Sequence, residues 1–293
     1  MSLRSMLFVP GDSPRKFEKA NLCGADALIL DLEDSVAPSK KLEAREHVAG
    51  LLDHDSKRSW AFYVRINPFD TDLTIHDLAA IVRPGLNGIM IPKANSAADI
   101  VRIGHYLDAL EASAGMPVGT VKICVVATET PTAMFNLGTY APAHPRLVGL
   151  TWGAEDLAAA IGATDNRDET GAWTFPYQVA RTQCLFAAAA AGVAPIDTLY
   201  ADFRDAEGLA ADCAFARRDG FTGRIAIHPD QVATINACFS PSEADLAHAR
   251  RLIEAFEAEP GVGVIGLDGK MYDIPHLKAA RRTLASAASR TDA

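Results

Sequence analysis

The chain reads as an α/β protein, a closed (β/α)8 TIM barrel followed by a C-terminal extension of helices and a hairpin. Three observations point there. Eight short apolar, β-branched runs recur along the chain, mostly with helix-length segments between them. Their near-continuous apolar character suits parallel strands covered on both faces. Polar residues follow the strands, where a barrel collects its chemistry. The structural alternative is an open doubly wound sheet, and no dinucleotide glycine fingerprint supports it.

The eight expected strands are Ser5–Val9, Ala27–Leu32, Ala61–Ile66, Gly88–Ile91, Val121–Ala127, Leu147–Thr151, Thr198–Ala201 and Arg224–Ile227. The first helix opens at Pro10-Gly11-Asp12-Ser13-Pro14, where Asp12 or Ser13 can cap and Pro14 suits the first turn. Further helices are expected at Asp99–Ser113 and Tyr177–Ala191. The barrel is taken as residues 1–229 and the extension as 230–293. The extension holds helices over Gln231–Phe239 and from Ser240-Pro241 to about Ala258. A hairpin turning at Asp268-Gly269 follows, then a helix over Pro275–Ala288.

At 293 residues, 49% hydrophobic and 22% charged, the chain can bury a substantial core. A net charge of −9 argues against nucleic acid as a partner, since phosphate backbones need a basic face. No run is long and apolar enough to span a membrane, and Met6–Pro10 is too short for a secretory signal. Five dispersed cysteines without zinc spacing suggest free thiols in a reducing, cytoplasmic setting.

Strand ends supply the candidates. In order they are Asp31, Glu33 and Asp34; Arg65 and Asn67; Lys93; Glu129; Glu155 and Asp156; Asp202; and His228. A barrel turns this scatter into one ring at the C-terminal mouth. Glu129 and Asp156 follow neighbouring strands, roughly 5 Å apart, so they can meet over a hard divalent cation such as Mg2+. The plainer alternative is a helix cap for Asp156 and a solvated loop carboxylate for Glu129. Arg65 suits bidentate capture of a carboxylate, or an ion pair with Asp31, Glu33 or Asp34, and both can hold. Those three acids can pair with Arg65 or hold metal-bound water. Lys93 could form a Schiff base, but an ion pair within the acidic ring is the favoured reading. Arg15, Lys16 and Lys19 form a local basic patch, more often a solvated face than a phosphate site.

Taken as a set, these residues resemble a known family. Arg4-Ser5-Met6-Leu7-Phe8-Val9-Pro10-Gly11, Leu30-Asp31-Leu32-Glu33-Asp34-Ser35-Val36 and Val64-Arg65-Ile66-Asn67 are similar to the citrate lyase β-subunit-like branch of the HpcH/HpaI aldolases. So are Ile91-Pro92-Lys93, Glu129-Thr130-Pro131, Gly153-Ala154-Glu155-Asp156, Ala226-Ile227-His228-Pro229 and Gly269-Lys270-Met271-Tyr272-Asp273. The resemblance implies a Mg2+-dependent carbon–carbon lyase acting on a 3-hydroxyacyl-CoA thioester and a 2-oxo acid. It implies Glu129 and Asp156 as metal ligands, with Glu129 also beside the substrate, and Arg65 as the group that holds the substrate carboxylate. Asp273 matches a proton-transferring acid whose arm reaches a neighbouring subunit's site, so a homo-oligomer, commonly a homotrimer, is implied. Arg15 and Lys19 fall where relatives approach CoA phosphates.

Overall fold

A computed structural model describes residues 3–53 and 58–288; the outermost residues of the expected barrel and extension, 1–2 and 289–293, lie outside it. Eight parallel strands close into a barrel in chain order. They are β1 (Ser5–Pro10), β2 (Ala27–Asp31), β3 (Ala61–Arg65), β4 (Gly88–Ile91), β5 (Lys122–Val126), β6 (Leu147–Thr151), β7 (Ala194–Asp197) and β8 (Gly223–Ala226). Helices α1 (Pro14–Ala20), α2 (Lys41–Asp53), α3 (Leu73–Ile81), α4 (Ala97–Ser113) and α5 (Pro131–Met134) lie between the earlier strands. The later ones are α6 (Glu155–Ile161), α7 (Phe175–Ala191), α8 (Ala206–Asp219) and α9 (Val232–Cys238).

Strand parity builds the interior. Met6, Ala27, Ile29, Ala61, Tyr63, Met90, Cys124, Val126, Ile196 and Ile225 form one buried cluster, contributed by every second residue of a strand. Intervening residues such as Leu28, Leu30, Phe62 and Val64 are also fully buried, on the faces that the helices cover. Truncating one such side chain to Ala costs about 2–5 kcal/mol. Gly88 has no room for a side chain, because a Cβ there would stand 2.3 Å from the ring of Tyr63. Two residues beyond Ile29 and Tyr63 on the same face come Asp31 and Arg65, and these two are partners in the β2–β3 register. Parity and register together set that acid against that base.

The seventh strand differs from expectation. It occupies Ala194–Asp197, and the expected segment Thr198–Ala201 follows it as loop. Pro195 disguises the strand by removing a donor, but its carbonyl accepts from the Thr222 N–H at 2.9 Å. The polar residue at this strand end is therefore buried Asp197, not Asp202. Asp202 is exposed in the loop and accepts from the Arg204 N–H at 3.1 Å.

The chain divides into compact units at Asn236/Ala237, within α9, rather than at 229/230. The barrel unit keeps 230–236 because Gln231 accepts from the N–H groups of Ile227 and His228, and Asn236 accepts from the Ser5 hydroxyl. The second unit carries α10 (Glu243–Ala258), β9 (Val264–Leu267), β10 (Lys270–Asp273) and α11 (Ile274–Ala288). Its own core is Ala249, Leu252, Phe256, Ile265, Leu277 and Ala280. The hairpin turns as expected at Asp268-Gly269, both left-handed, with φ of 52° and 74°.

Candidate active site

At the ends of β2 and β3, Arg65 grips Asp31 with both arms, Nε to Oδ1 and Nη2 to Oδ2 at 2.6 Å each. The N–H groups of Glu33 and Ser35 complete the Asp31 carboxylate. Burial pushes the Asp31 carboxyl up, but Arg65 and these donors outweigh it and hold it below the usual carboxylate range. The remaining arm, Nη1, lies 3.0 Å from Glu33 Oε2, an oxygen that makes no hydrogen bond. The guanidinium lies 4.6 Å from the centre of the Phe8 ring. Arg65 is thus ion-paired to Asp31 through Nε and Nη2 and to Glu33 through Nη1.

Lys93 follows β4 with φ of 52°, a left-handed backbone that costs a lysine about 1 kcal/mol or more. The turn aims its N–H at Glu129, donating to Oε2 at 2.6 Å. Its ammonium contacts Glu33 and lies 2.9 Å from Asp34 and 3.3 Å from Asp156. Burial lowers the Lys93 pKa, yet Glu33, Asp34 and Asp156 together hold it above normal. A lysine so charged is no Schiff-base nucleophile at neutral pH.

Glu129 is 4% exposed. Burial pushes its carboxyl up to about 8, with the charges of Asp156 and Glu33 adding to the rise against the Lys93 N–H and Arg65. Asp156, on the first turn of α6, is one-third exposed. Gly153 leaves room for the Glu129 side chain: a Cβ there would stand 2.8 Å from Glu129 Cγ and 3.0 Å from Oε1. Such a carboxyl pair is poorly served by protein alone and suits a divalent cation. Among the described residues, no cluster of three or more His, Cys, Asp or Glu is arranged around a metal position. Water and substrate oxygens would complete any shell, as Mg2+ commonly allows.

These groups line a cavity of about 90 Å3 that includes Arg65, Glu129, Asp156, Trp152, Trp173 and Met90. A wider cavity of about 820 Å3 shares Phe8, Arg65 and Leu199 with it and adds Lys16, Lys19 and His228. Of the basic patch, Lys16 and Lys19 line the wider cavity, whereas exposed Arg15 does not. His228 stacks on Phe203 at 4.5 Å and caps the turn at 229–231. Glu155 accepts from Asn166, and buried Asn67 is tied to Asp77 and Leu32. Asp273, in the second unit, lies 2.5 Å from His276.

Trp152, Trp173 and Asp197 are site features that the strand-end reading missed. Trp152 donates through Nε1 to Asp197 at 2.6 Å and packs edge-on against Trp173 at 5.1 Å. Arg181 and Arg224 hold the same Asp197 carboxylate at 3.2 and 2.9 Å. The only sequence signal was Trp152 standing immediately before Gly153; Trp173 lies in a polar loop with no periodicity.

A parallel eight-stranded barrel with ion pairs, a buried Glu129 and a half-buried Asp156 at the carboxyl ends of its strands defines a barrel enzyme. The model of the HpcH/HpaI aldolase/citrate lyase family matches residues 4–229, and the chain belongs to that family, a lyase by class. A (3S)-malyl-CoA thioesterase of Cereibacter sphaeroides is 38% identical over 97% of this chain and 94% of its own. The citrate lyase subunit beta of Haemophilus influenzae is 35% identical over 98% and 97%. The CitE protein of Mycobacterium tuberculosis, solved with magnesium, acetoacetate and coenzyme A, superposes with a TM-score of 0.79 at 33% identity, covering 98% of both chains. A citrate lyase beta subunit from the same organism, solved with oxaloacetate and magnesium, gives 0.68 at 33% identity over 82% of this chain and 98% of its own.

Proposed function

We propose that this protein is a Mg2+-dependent carbon–carbon lyase that cleaves, or in reverse forms, a 3-hydroxyacyl-CoA thioester such as citramalyl-, malyl- or citryl-CoA. The products are acetyl-CoA and a 2-oxo acid. The observation that carries this reading is Glu129, a carboxyl pushed up to about 8 by burial and by the charge of Asp156, in a cavity that both residues line. The magnesium, acetoacetate, oxaloacetate and coenzyme A held by the M. tuberculosis proteins support the same ligands here.

Glu129 and Asp156 are the carboxylates that hold the metal. When bound, Mg2+ supplies a Lewis acid that lowers the pKa of the substrate hydroxyl. Arg65, immobilised by Asp31, shares its Nη1 edge between Glu33 and the acyl carboxylate. Lys93 balances Glu33, Asp34 and Asp156 so that this much negative charge can persist beside an anionic substrate. Lys16 and Lys19 attract the CoA phosphates at the wider cavity, with Arg15 nearby on the same helix. The extension of a neighbouring subunit covers the mouth in a homo-oligomer, a trimer in this reading. Its Asp273 exchanges the proton on the thioester α-carbon. The five cysteines are free thiols, in keeping with a cytoplasmic setting.

Two relatives favour specific alternatives: hydrolysis of the thioester, or action on an acyl carrier within a multi-subunit citrate lyase. A panel of free citramalyl-, malyl- and citryl-CoA, assayed with Mg2+ and with chelator, separates them. Formation of the 2-oxo acid and of free thiol are followed independently. The expected result is Mg2+-dependent 2-oxo acid without free thiol, abolished in Asp156→Ala. Thiol release alone identifies a thioesterase, and turnover confined to carrier-bound substrate identifies a complex subunit. Cleavage that survives chelation sinks the metal assignment.

A further inference from the structure

The second unit carries a side chain, His276, that the reading above does not use. Asp273 ends β10 and His276 lies three residues later in α11, with Nδ1 2.5 Å from Asp273 Oδ1. A carboxylate only accepts, so the proton between them belongs to Nδ1, which donates to Oδ1. The Asp273 N–H faces the same nitrogen at 3.3 Å. One ring nitrogen cannot donate and accept together, and the shorter contact decides its role. The imidazole is itself braced: the Tyr272 ring stands edge-on to it at 5.3 Å, and the His248 ring of α10 lies 5.7 Å from Tyr272. Both members of the pair are about half exposed, so the carboxylate is restrained yet open to a ligand.

We propose that His276 is a positioning residue for Asp273: its Nδ1–H occupies Oδ1 and fixes the carboxylate so that Oδ2 alone is presented to the thioester. The inference rests on the role proposed for Asp273. In the condensing direction the proton passes from the acetyl α-carbon to Asp273 Oδ2, and the C–H electron pair stays on the thioester as the enolate. Cleavage returns that proton. His276 neither gains nor loses a proton in either direction. A freely rotating carboxylate divides its time among several orientations, and holding it in one removes that loss from the proton-transfer step. The plain structural alternative is that the pair only caps α11.

The test uses the full-length protein with His276→Leu, which removes the donor, and His276→Asn, whose amide places a donor near the Nδ1 position. Solvent deuterium uptake into the acetyl group, kcat and KM for the thioester that is turned over, and thermal midpoints are read for each. His276→Leu is expected to lower both exchange and kcat by about tenfold, the scale of one lost hydrogen bond, with KM unchanged. His276→Asn restores most of both. Wild-type exchange in His276→Leu, or no recovery in His276→Asn, overturns the proposal. So does a lowered thermal midpoint with kcat intact, which is the signature of a helix cap. Asp273→Asn is the control: if it exchanges at the wild-type rate, the fault lies in the role given to Asp273, and this inference goes with it.

Discussion

Glu129→Gln removes an ionisation that the barrel mouth opposes, and its effect on stability follows from the structure. The Glu129 carboxyl is raised from an ordinary 4.5 to about 8. Between those values the folded protein keeps a proton that the unfolded chain has released. Stability therefore falls as pH rises through this window and is level below 4.5 and above 8. At about 1.4 kcal/mol per unit, a window of about 3.5 units gives an upper limit near 5 kcal/mol. Local relaxation and water entry reduce this to about 2–3 kcal/mol. For a domain of this size, that is about 5–10 °C in melting midpoint. Gln keeps an acceptor for the Lys93 N–H but cannot ionise. With chelator present, the variant and the wild type should melt together near pH 5. The variant should then gain about 5–10 °C by pH 9 in thermal melts followed by circular dichroism. Adding Mg2+ should close the gap by stabilising the wild type alone. Parallel melting profiles across this pH range would refute the burial argument and the case for a cation at this pair.

Three further substitutions probe the rest of the mouth. Gly153→Ala should drive Glu129 from its place, lowering Mg2+ affinity in calorimetry and kcat about a hundredfold, while global stability falls by only about 1–3 kcal/mol. Arg65→Met leaves Asp31 without its cation and Glu33 with Lys93 alone; denaturant unfolding should show a loss of about 3–5 kcal/mol at pH 7. Arg65 holds the Asp31 pKa down, so the lost contribution is present above pH 3.8 in the wild type and disappears on further acidification. The variant should therefore approach wild type in strong acid. Asp197→Asn uncouples Arg181 and Arg224, which face one another across the removed charge. It should cost about 3–5 kcal/mol and alter Trp152 fluorescence, because the indole's acceptor changes from a charged carboxylate to a neutral amide oxygen.

Much of the fold was legible because barrel strands are short apolar runs with polar residues at one end, a signal local to each strand. Seven of the eight runs coincide with strands to within a residue or two, while the run at Thr198–Ala201 missed β7 because Pro195 masks it. Residue order alone also marked the Asp268-Gly269 turn and brought Asp31, Glu33, Arg65, Lys93, Glu129 and Asp156 to one mouth, since every parallel strand ends on the same side.

Partner choice was another matter. The sequence left Arg65 open between a substrate and three acids; the β2–β3 register sets it opposite Asp31 and gives that acid two of its donors. Lys93 offered two chemistries; its left-handed backbone turns its N–H to Glu129, and three acidic neighbours hold its ammonium in ion pairs. The raised pKa of Glu129 needs its burial and the charge of Asp156, and its side chain occupies space that the missing Cβ of Gly153 leaves. The Asp197 cluster joins β7 to side chains from the residue after β6, from α7 and from β8. The physical reason is common to all of them. Periodicity and turn chemistry are properties of neighbours along the chain, whereas desolvation and ion pairing are sums over neighbours in space, and those sums exist only once the barrel has closed.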